Sequence, residues 1–339
     1  MSNRHSSTPN RRPRGERALR AVFPPSVDVI EPASAQNVDL VVNGHAIEVK
    51  WVGQGHLGDV RAVLNDRSAQ DVILVARYMS PGARSALSAA GVNWVDESGA
   101  AEINIGTIVI SRTGIPRKKD KTIKRWAPAV ISVAEALLCG THGTQSATQA
   151  ATGLSAGSCA NALRFLGEQE LLESKAKRGP ASARHVTKPR ALLDAYAEAV
   201  AGQPPGIEIQ VGVTWQDMLS GIAELGRRFD SDETGWAVTG TAAAAVIAPH
   251  LSSVARVTVY VDAQSMAELQ AIAESAKLRP IQGGRLTLKS FPTGSVQRLS
   301  KDIDGVRIAP WPRVYADLRG EGVRGEEAAE HLFEVVHGR

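Results

Sequence analysis

The sequence predicts a multidomain α/β protein, and three observations carry that prediction. Short apolar runs alternate with helical patterns from Val27 to Ile110, the order of a compact α/β domain. A helix of small residues reaching Gly153 is followed by a capped amphipathic helix and a basic hairpin. Beyond Gln203-Pro204-Pro205-Gly206, helices and strands mix again with no internal repeat. The expected organisation is a disordered basic tail over residues 1–22, an α/β domain over 23–111 and a basic linker over 112–125. A helical domain over 126–202 and an α+β domain over 207–339 complete it.

The chain has 339 residues, 43% of them hydrophobic, enough for two or three cored domains. Its net charge of +4 is unevenly spread. Residues 1–20 carry six Arg against one Glu, and residues 112–190 carry fourteen Lys and Arg against five acids. Those stretches together sum to +14, which leaves −10 for the rest. A basic tail and a basic middle flanked by acidic segments is the electrostatic footprint of a phosphate-backbone binder. Cys139 and Cys159 each fall on an apolar helix and read as reduced, buried small hydrophobes. The Arg- and Pro-rich N-terminus has no apolar leader core, and no run of eighteen apolar residues occurs. A cytoplasmic, nucleoid-associated location without a membrane partner is therefore expected.

In the first domain, strands are expected at Asp39–Val42 and Ala46–Val52 around an Asn43-Gly44 turn, the strongest short hairpin signal. A helix follows over His56–Leu64, then a buried strand Asp71–Arg77, a helix Pro81–Ala90, a strand Val92–Val95 and short strands through Ile103–Ile110. A two-residue turn pairs position 42 with 45 and so sets Asp39 across from Glu48. Lys50, two residues on, shares that face. Two adjacent carboxylates repel unless a cation lies between them, and Mg²⁺ would satisfy both while leaving sites for phosphate and water. Lys50 alone would also neutralise two surface acids. The Asp…Glu-x-Lys spacing in this α/β order resembles the restriction-endonuclease-like PD-(D/E)xK superfamily. The resemblance implies catalytic roles for Asp39, Glu48 and Lys50, with Mg²⁺ on Asp39 and Glu48. Val38 stands where that family often has Pro, and Glu16 is the candidate for its acid on the first helix.

The run Arg112–Arg125 holds seven basic residues and one Asp. From Thr144, a first helix ends at Gly153, whose positive-φ freedom suits a tight turn, and Ser155 caps the next helix, in the run Ala156 through Leu172 that closes on a strand at Leu171-Leu172. Cys159, Ala162, Leu163 and Leu166 fall at helical spacing and are expected in the core. Gly157, Ser158, Asn161 and Arg164 are left on the opposite side, where a recognition helix meets base edges. Leu171-Leu172 is expected to begin a hairpin bearing Lys175, Lys177, Arg178 and Arg184 around Gly179-Pro180. The pattern is that of a winged helix-turn-helix, with Gln145 and Ser146 on its first helix as further contacts to double-stranded DNA. A trailing helix is expected over Arg190–Val200.

In the last part, helices are expected at Trp215–Arg228, Gly240–Ala248, Ala263–Ser275 and Gly325–Val336, with strands at Val254–Val261, Leu286–Phe291 and Val306–Ala309. Trp236 through Ala244 followed by the strand Arg256–Val261 resembles a nucleotidyltransferase core. Thr258 and Tyr260 stand where that family's alternating carboxylates are needed, leaving Asp262, so the domain reads as a nucleotidyltransferase-like region emptied of catalysis. The run from Ile308-Ala309-Pro310-Trp311-Pro312 through Asp317-Leu318 to Glu330-His331-Leu332 resembles the C-terminal signature of AbiEi-type antitoxins of type IV toxin–antitoxin systems. That resemblance, over roughly residues 125–339, implies an autoregulating winged helix, an operator and a nucleotidyltransferase toxin as partner. Asp317 and Arg324 are expected to pin the last helix, and His331 to be structural. Transcriptional regulation is the leading expectation. A Mg²⁺-dependent DNA nuclease in phage defence or DNA processing is the alternative.

Overall fold

The computed structural model describes residues 12–30, 38–65, 72–114, 126–174, 183–249 and 254–338. The chain divides into two compact units, residues 1–122 and 123–339. Both are α/β, and no described helix is long and apolar enough to cross a membrane.

The first unit runs α1 (Arg12–Val22), β1 (Val29–Ile30), β2 (Leu40–Val42), β3 (His45–Trp51), α2 (Leu57–Leu64), β4 (Val72–Ala76), α3 (Pro81–Ala90), β5 (Asn93–Asp96), β6 (Ala100–Ile105) and β7 (Ile108–Thr113). Its seven strands lie side by side in chain order. β3, β4 and β5 are mutually parallel, joined by the α2 and α3 crossovers, and the remaining neighbours are antiparallel. Alternation along the strands splits the core in two. Ile47, Ile73, Val75 and Val95 pack beneath α1, whereas Val72, Leu74, Ala76 and Trp94 lie in the layer of Val60 from α2 and of Ala83 and Leu87 from α3.

α1 corrects the part of the expected disordered tail over residues 1–22 that runs from Arg12 to Val22. Ala18, Leu19 and Val22 recur on one helical face and are buried in the sheet's core, which holds the segment from Arg12 onward in place. Arg112, expected to open the linker, instead pairs with Ala101 inside β7. The rest of the linker from 115 to 125, and residues 1–11 of the tail, lie outside the described residues.

The second unit opens with α4 (Pro128–Leu138), α5 (Gln145–Thr152), α6 (Ala156–Glu168), β8 (Glu173–Ser174), β9 (Arg184–His185) and α7 (Pro189–Ala201). It continues with β10 (Glu208–Gly212), α8 (Met218–Ser231), β11 (Trp236–Thr239), α9 (Gly240–Ile247), β12 (Val257–Val261), α10 (Met266–Ser275), β13 (Arg279–Pro280) and β14 (Leu286–Ser290). α11 (Gly294–Leu299), β15 (Lys301–Ile303), β16 (Val306–Ile308), α12 (Trp311–Leu318) and α13 (Val323–His337) close it. β8 and β9 form a two-stranded sheet, placed two residues later than the Leu171-Leu172 strand expected from sequence. The other strands form a mixed sheet ordered β13-β10-β14-β12-β11-β16-β15.

The segments expected as separate domains, 126–202 and 207–339, share one continuous core. The reason is α4. Every residue from Val130 to Leu137 is buried, and a helix apolar all round must be covered all round. α5, α6 and α7 cover it together with α11 and α12. Electrostatics close the same junction: Arg190 on α7 grips Glu330 on α13 with two charge-assisted bonds of 2.6 and 2.8 Å, and also bonds Asp194 at 3.0 Å.

Candidate functional site

Local chemistry shapes the α5–α6 pair closely. Thr144 caps α5 by accepting the Ala147 N–H at 3.2 Å. α5 stops at Gly153, which sits at φ +72, a left-handed conformation that glycine adopts without strain. Ser155 then caps α6 by accepting the Ser158 N–H at 3.2 Å. Cys159, Ala162, Leu163 and Leu166 are buried, as their spacing requires. Gly157, Asn161, Arg164 and Glu168 recur at helical spacing on the exposed side. There Arg164 donates to Asn161 Oδ1 at 2.8 Å and lies 3.9 Å from Glu168, so its guanidinium is laid along the stripe. Ser158 is half-exposed and accepts from the Ser155 hydroxyl at 2.9 Å. Gln145 and Ser146 are exposed in the first turn of α5.

The basic hairpin is only partly in view. Lys175, Lys177 and Arg178 lie outside the described residues. Arg184 is half-buried on β9; its N–H donates to the Gly143 carbonyl at 3.0 Å, bridging the hairpin to the loop before α5. Its Nε lies 3.7 Å from where a Cβ on Gly167 would stand, so the guanidinium runs along the back end of α6.

In the first unit the Asn43-Gly44 turn has both residues at positive φ, 46° and 85°, and sets the predicted register of 42 with 45, 41 with 46 and 40 with 47. Asp39 follows this register toward Glu48: its N–H donates to the Ile47 carbonyl at 3.0 Å. One Asp39 carboxylate oxygen accepts the Val49 N–H at 2.9 Å, extending the ladder past the end of β2. Lys50 Nζ lies 3.7 Å from Glu48. All three side chains are half-exposed. Glu48 and Lys50 alternate onto the sheet face opposite Val49, and it is Val49 that α1 covers. Glu16, on α1, therefore rides over the other face. Two carboxylates suit Mg²⁺ when phosphate and water complete its shell. Among the described residues no group of three or more His, Cys, Asp or Glu side chains is placed to hold a metal ion.

A third polar cluster, unpredicted from sequence, occupies the C-terminal core. Asp317 on α12 accepts from Thr239 at 2.6 Å and from the Tyr260 hydroxyl at 2.8 Å. Arg313, one turn earlier on α12, pairs with Asp317 at 2.9 Å. This replaces the expected Asp317–Arg324 contact, because positions four apart share a helix face and Arg313 points into the core with its partner. Glu321 lies against Gly240 at the start of α9 and bonds Thr241 there. Nearby, Glu135 is fully buried on α4, accepting from Tyr196 at 2.7 Å and Ser295 at 2.9 Å. Burial pushes its carboxyl up to about 7, against the pull of those bonds and of Arg313. A lone acid inside the apolar run from Val130 to Leu138 was the signal available for it.

Cys159 is buried with Sγ 3.8 Å from the Thr152 hydroxyl. Cys139 is half-buried at the end of α4, and burial raises its thiol to about 12, consistent with an unreactive thiol. Comparison of the chain with protein-family models, with curated proteins and with solved structures returned no significant match.

Proposed function

We propose that this protein is a DNA-binding transcriptional regulator, similar to AbiEi-type antitoxins, that holds operator DNA with residues 126–202 acting as a winged helix-turn-helix. One observation carries the reading. α6 follows a tightly capped turn and presents Asn161 and Arg164 on an exposed stripe, with its opposite side locked into the core. Arg is suited to guanine and Asn to adenine in the major groove. Gln145, Ser146 and Ser158 border the stripe, while Lys175, Lys177, Arg178 and Arg184 supply phosphate contacts. The excess of basic residues between 112 and 190 gives this affinity a steep salt dependence.

The C-terminal region then acts as a nucleotidyltransferase-like platform without catalysis. Tyr260 stands at a position where that chemistry needs a carboxylate, and its hydroxyl is committed to Asp317. Such a platform suits engagement of a nucleotidyltransferase toxin. The alignment of Asp39 with Glu48 favours a second reading, a Mg²⁺-dependent DNA nuclease of the PD-(D/E)xK type. Footprinting across the genome with mapping of cut ends separates the two. The regulator reading predicts discrete protected sites with intact strands. Mg²⁺-dependent cuts lost in Glu48→Ala or Lys50→Ala would establish the nuclease instead.

A further inference from the structure

We infer that the pocket walled by α4, α7, the loop after β14 and α12 binds a small organic monoanion with an apolar body, anchored by Arg313. The pocket has a volume of about 570 Å³, in the range of small-molecule sites. Ile131, Val200, Phe291 and Pro292 give it apolar walls, and the Phe291 ring is stacked on Tyr260 with centroids 5.8 Å apart. Pro204 and Pro205 form part of the rim, and their fixed φ keeps that rim formed before any ligand arrives.

Arg313 supplies the anchor. It is 9% exposed, and it lines this pocket. Its Nε donates to the Tyr260 hydroxyl at 3.0 Å and to Asp317 at 3.2 Å, and Nη2 reaches Asp317 at 2.9 Å. Nη1 has no acceptor among the described residues. A guanidinium carries five N–H donors and holds its charge at any ordinary pH, so the Nη1 donors that stay open on the pocket side favour an anionic acceptor delivered there. Of the lining cations, Lys289 is held by Glu208 at 3.0 Å and Arg319 by Asp194 at 3.3 Å, so Arg313 is the one that turns a donor toward the pocket, enough to anchor a single negative charge. The walls reward an apolar body, which separates this site from a bare phosphate site.

α4 lines the pocket and packs against both α5 and α6. An occupant would therefore bias how α6 is held. That coupling, but not the binding, rests on the regulator reading. Fluorine NMR of 4-(trifluoromethyl)benzoate with the full chain tests the binding without DNA. The expected result is saturable broadening and shift of its resonance, with affinity at least tenfold above that of the neutral benzamide analogue. Inorganic phosphate at equal concentration should not displace it. Arg313→Lys should weaken it tenfold or more. Because that change could disturb folding, Ala201→Trp, which narrows the exposed mouth and leaves the Arg313–Asp317 pair alone, should do the same. Absence of saturable binding, equal binding of the benzamide, displacement by phosphate, or full binding by Ala201→Trp would each overturn the proposal.

Discussion

Two buried carboxylates show how differently the same group is accommodated. Asp96, at the end of β5, is fully buried and accepts from the Met79, Ser98 and Ala100 N–H groups, from the Ser98 hydroxyl and from Arg84. Glu135 has only the Tyr196 and Ser295 hydroxyls, and desolvation wins, raising its carboxyl from 4.5 to about 7. The folded state then holds the Glu135 proton more tightly than the unfolded chain does. Its contribution to stability is full below about pH 4.5 and is lost as pH rises through about 7. At about 1.4 kcal/mol per pH unit, the loss approaches about 3 kcal/mol by pH 8. Glu135→Gln, which keeps the shape without the charge, should gain that amount over the wild type between pH 5 and pH 8, as read by urea unfolding at both values. Parallel pH profiles for the two proteins would contradict the assignment. Residues of this kind are only half legible in a sequence. An acid in an apolar helix flags itself, but its partners Tyr196 and Ser295 lie 61 and 160 positions away. The Asp317 cluster is hidden for the same reason, since Thr239 and Tyr260 come from distant strands.

Elements fixed by local chemistry were the legible part. The Asn43-Gly44 turn set a register because only a few residue types accept its two positive φ angles, and that register placed Asp39 toward Glu48 without any knowledge of the sheet. The α5–α6 turn was legible likewise, through Gly153 and the Ser155 cap. Gly153→Ala should cost about 1–2 kcal/mol, because an alanine at φ +72 is strained and its Cβ would stand 2.6 Å from Arg298 Nε. Gly153→Asn should cost less, since asparagine tolerates the left-handed region. Equal losses for both in urea unfolding would show that crowding by Arg298, rather than backbone conformation, governs the turn. Elements fixed by distant packing escaped the sequence. α1 was expected as tail because its Arg content outweighs the three apolar residues that dock it, and α11, at six residues, is too short for a helical period to show.

At the scale of the whole chain, the second unit is a single body in which one buried helix serves both the α5–α6 pair and the C-terminal helices α11 and α12. Residues 126–202 expressed alone would expose the side of α4 that α11 and α12 cover, and should melt without a cooperative transition by circular dichroism. Residues 123–339 should melt cooperatively, and a sharp transition in the short fragment would refute the shared core. On the proposed function, the exposed α6 stripe shares its core with the apolar-walled pocket, so an occupant of that pocket would bias how the stripe is held. The claim stands or falls on Asn161 and Arg164. In fluorescence anisotropy with an operator recovered by footprinting, the Asn161→Ala/Arg164→Ala double variant should lose at least about thirtyfold in operator affinity, at about 1–3 kcal/mol per lost base contact. Its residual binding should match that to unrelated DNA and keep a steep salt dependence. Unchanged operator affinity in the double variant would contradict the account.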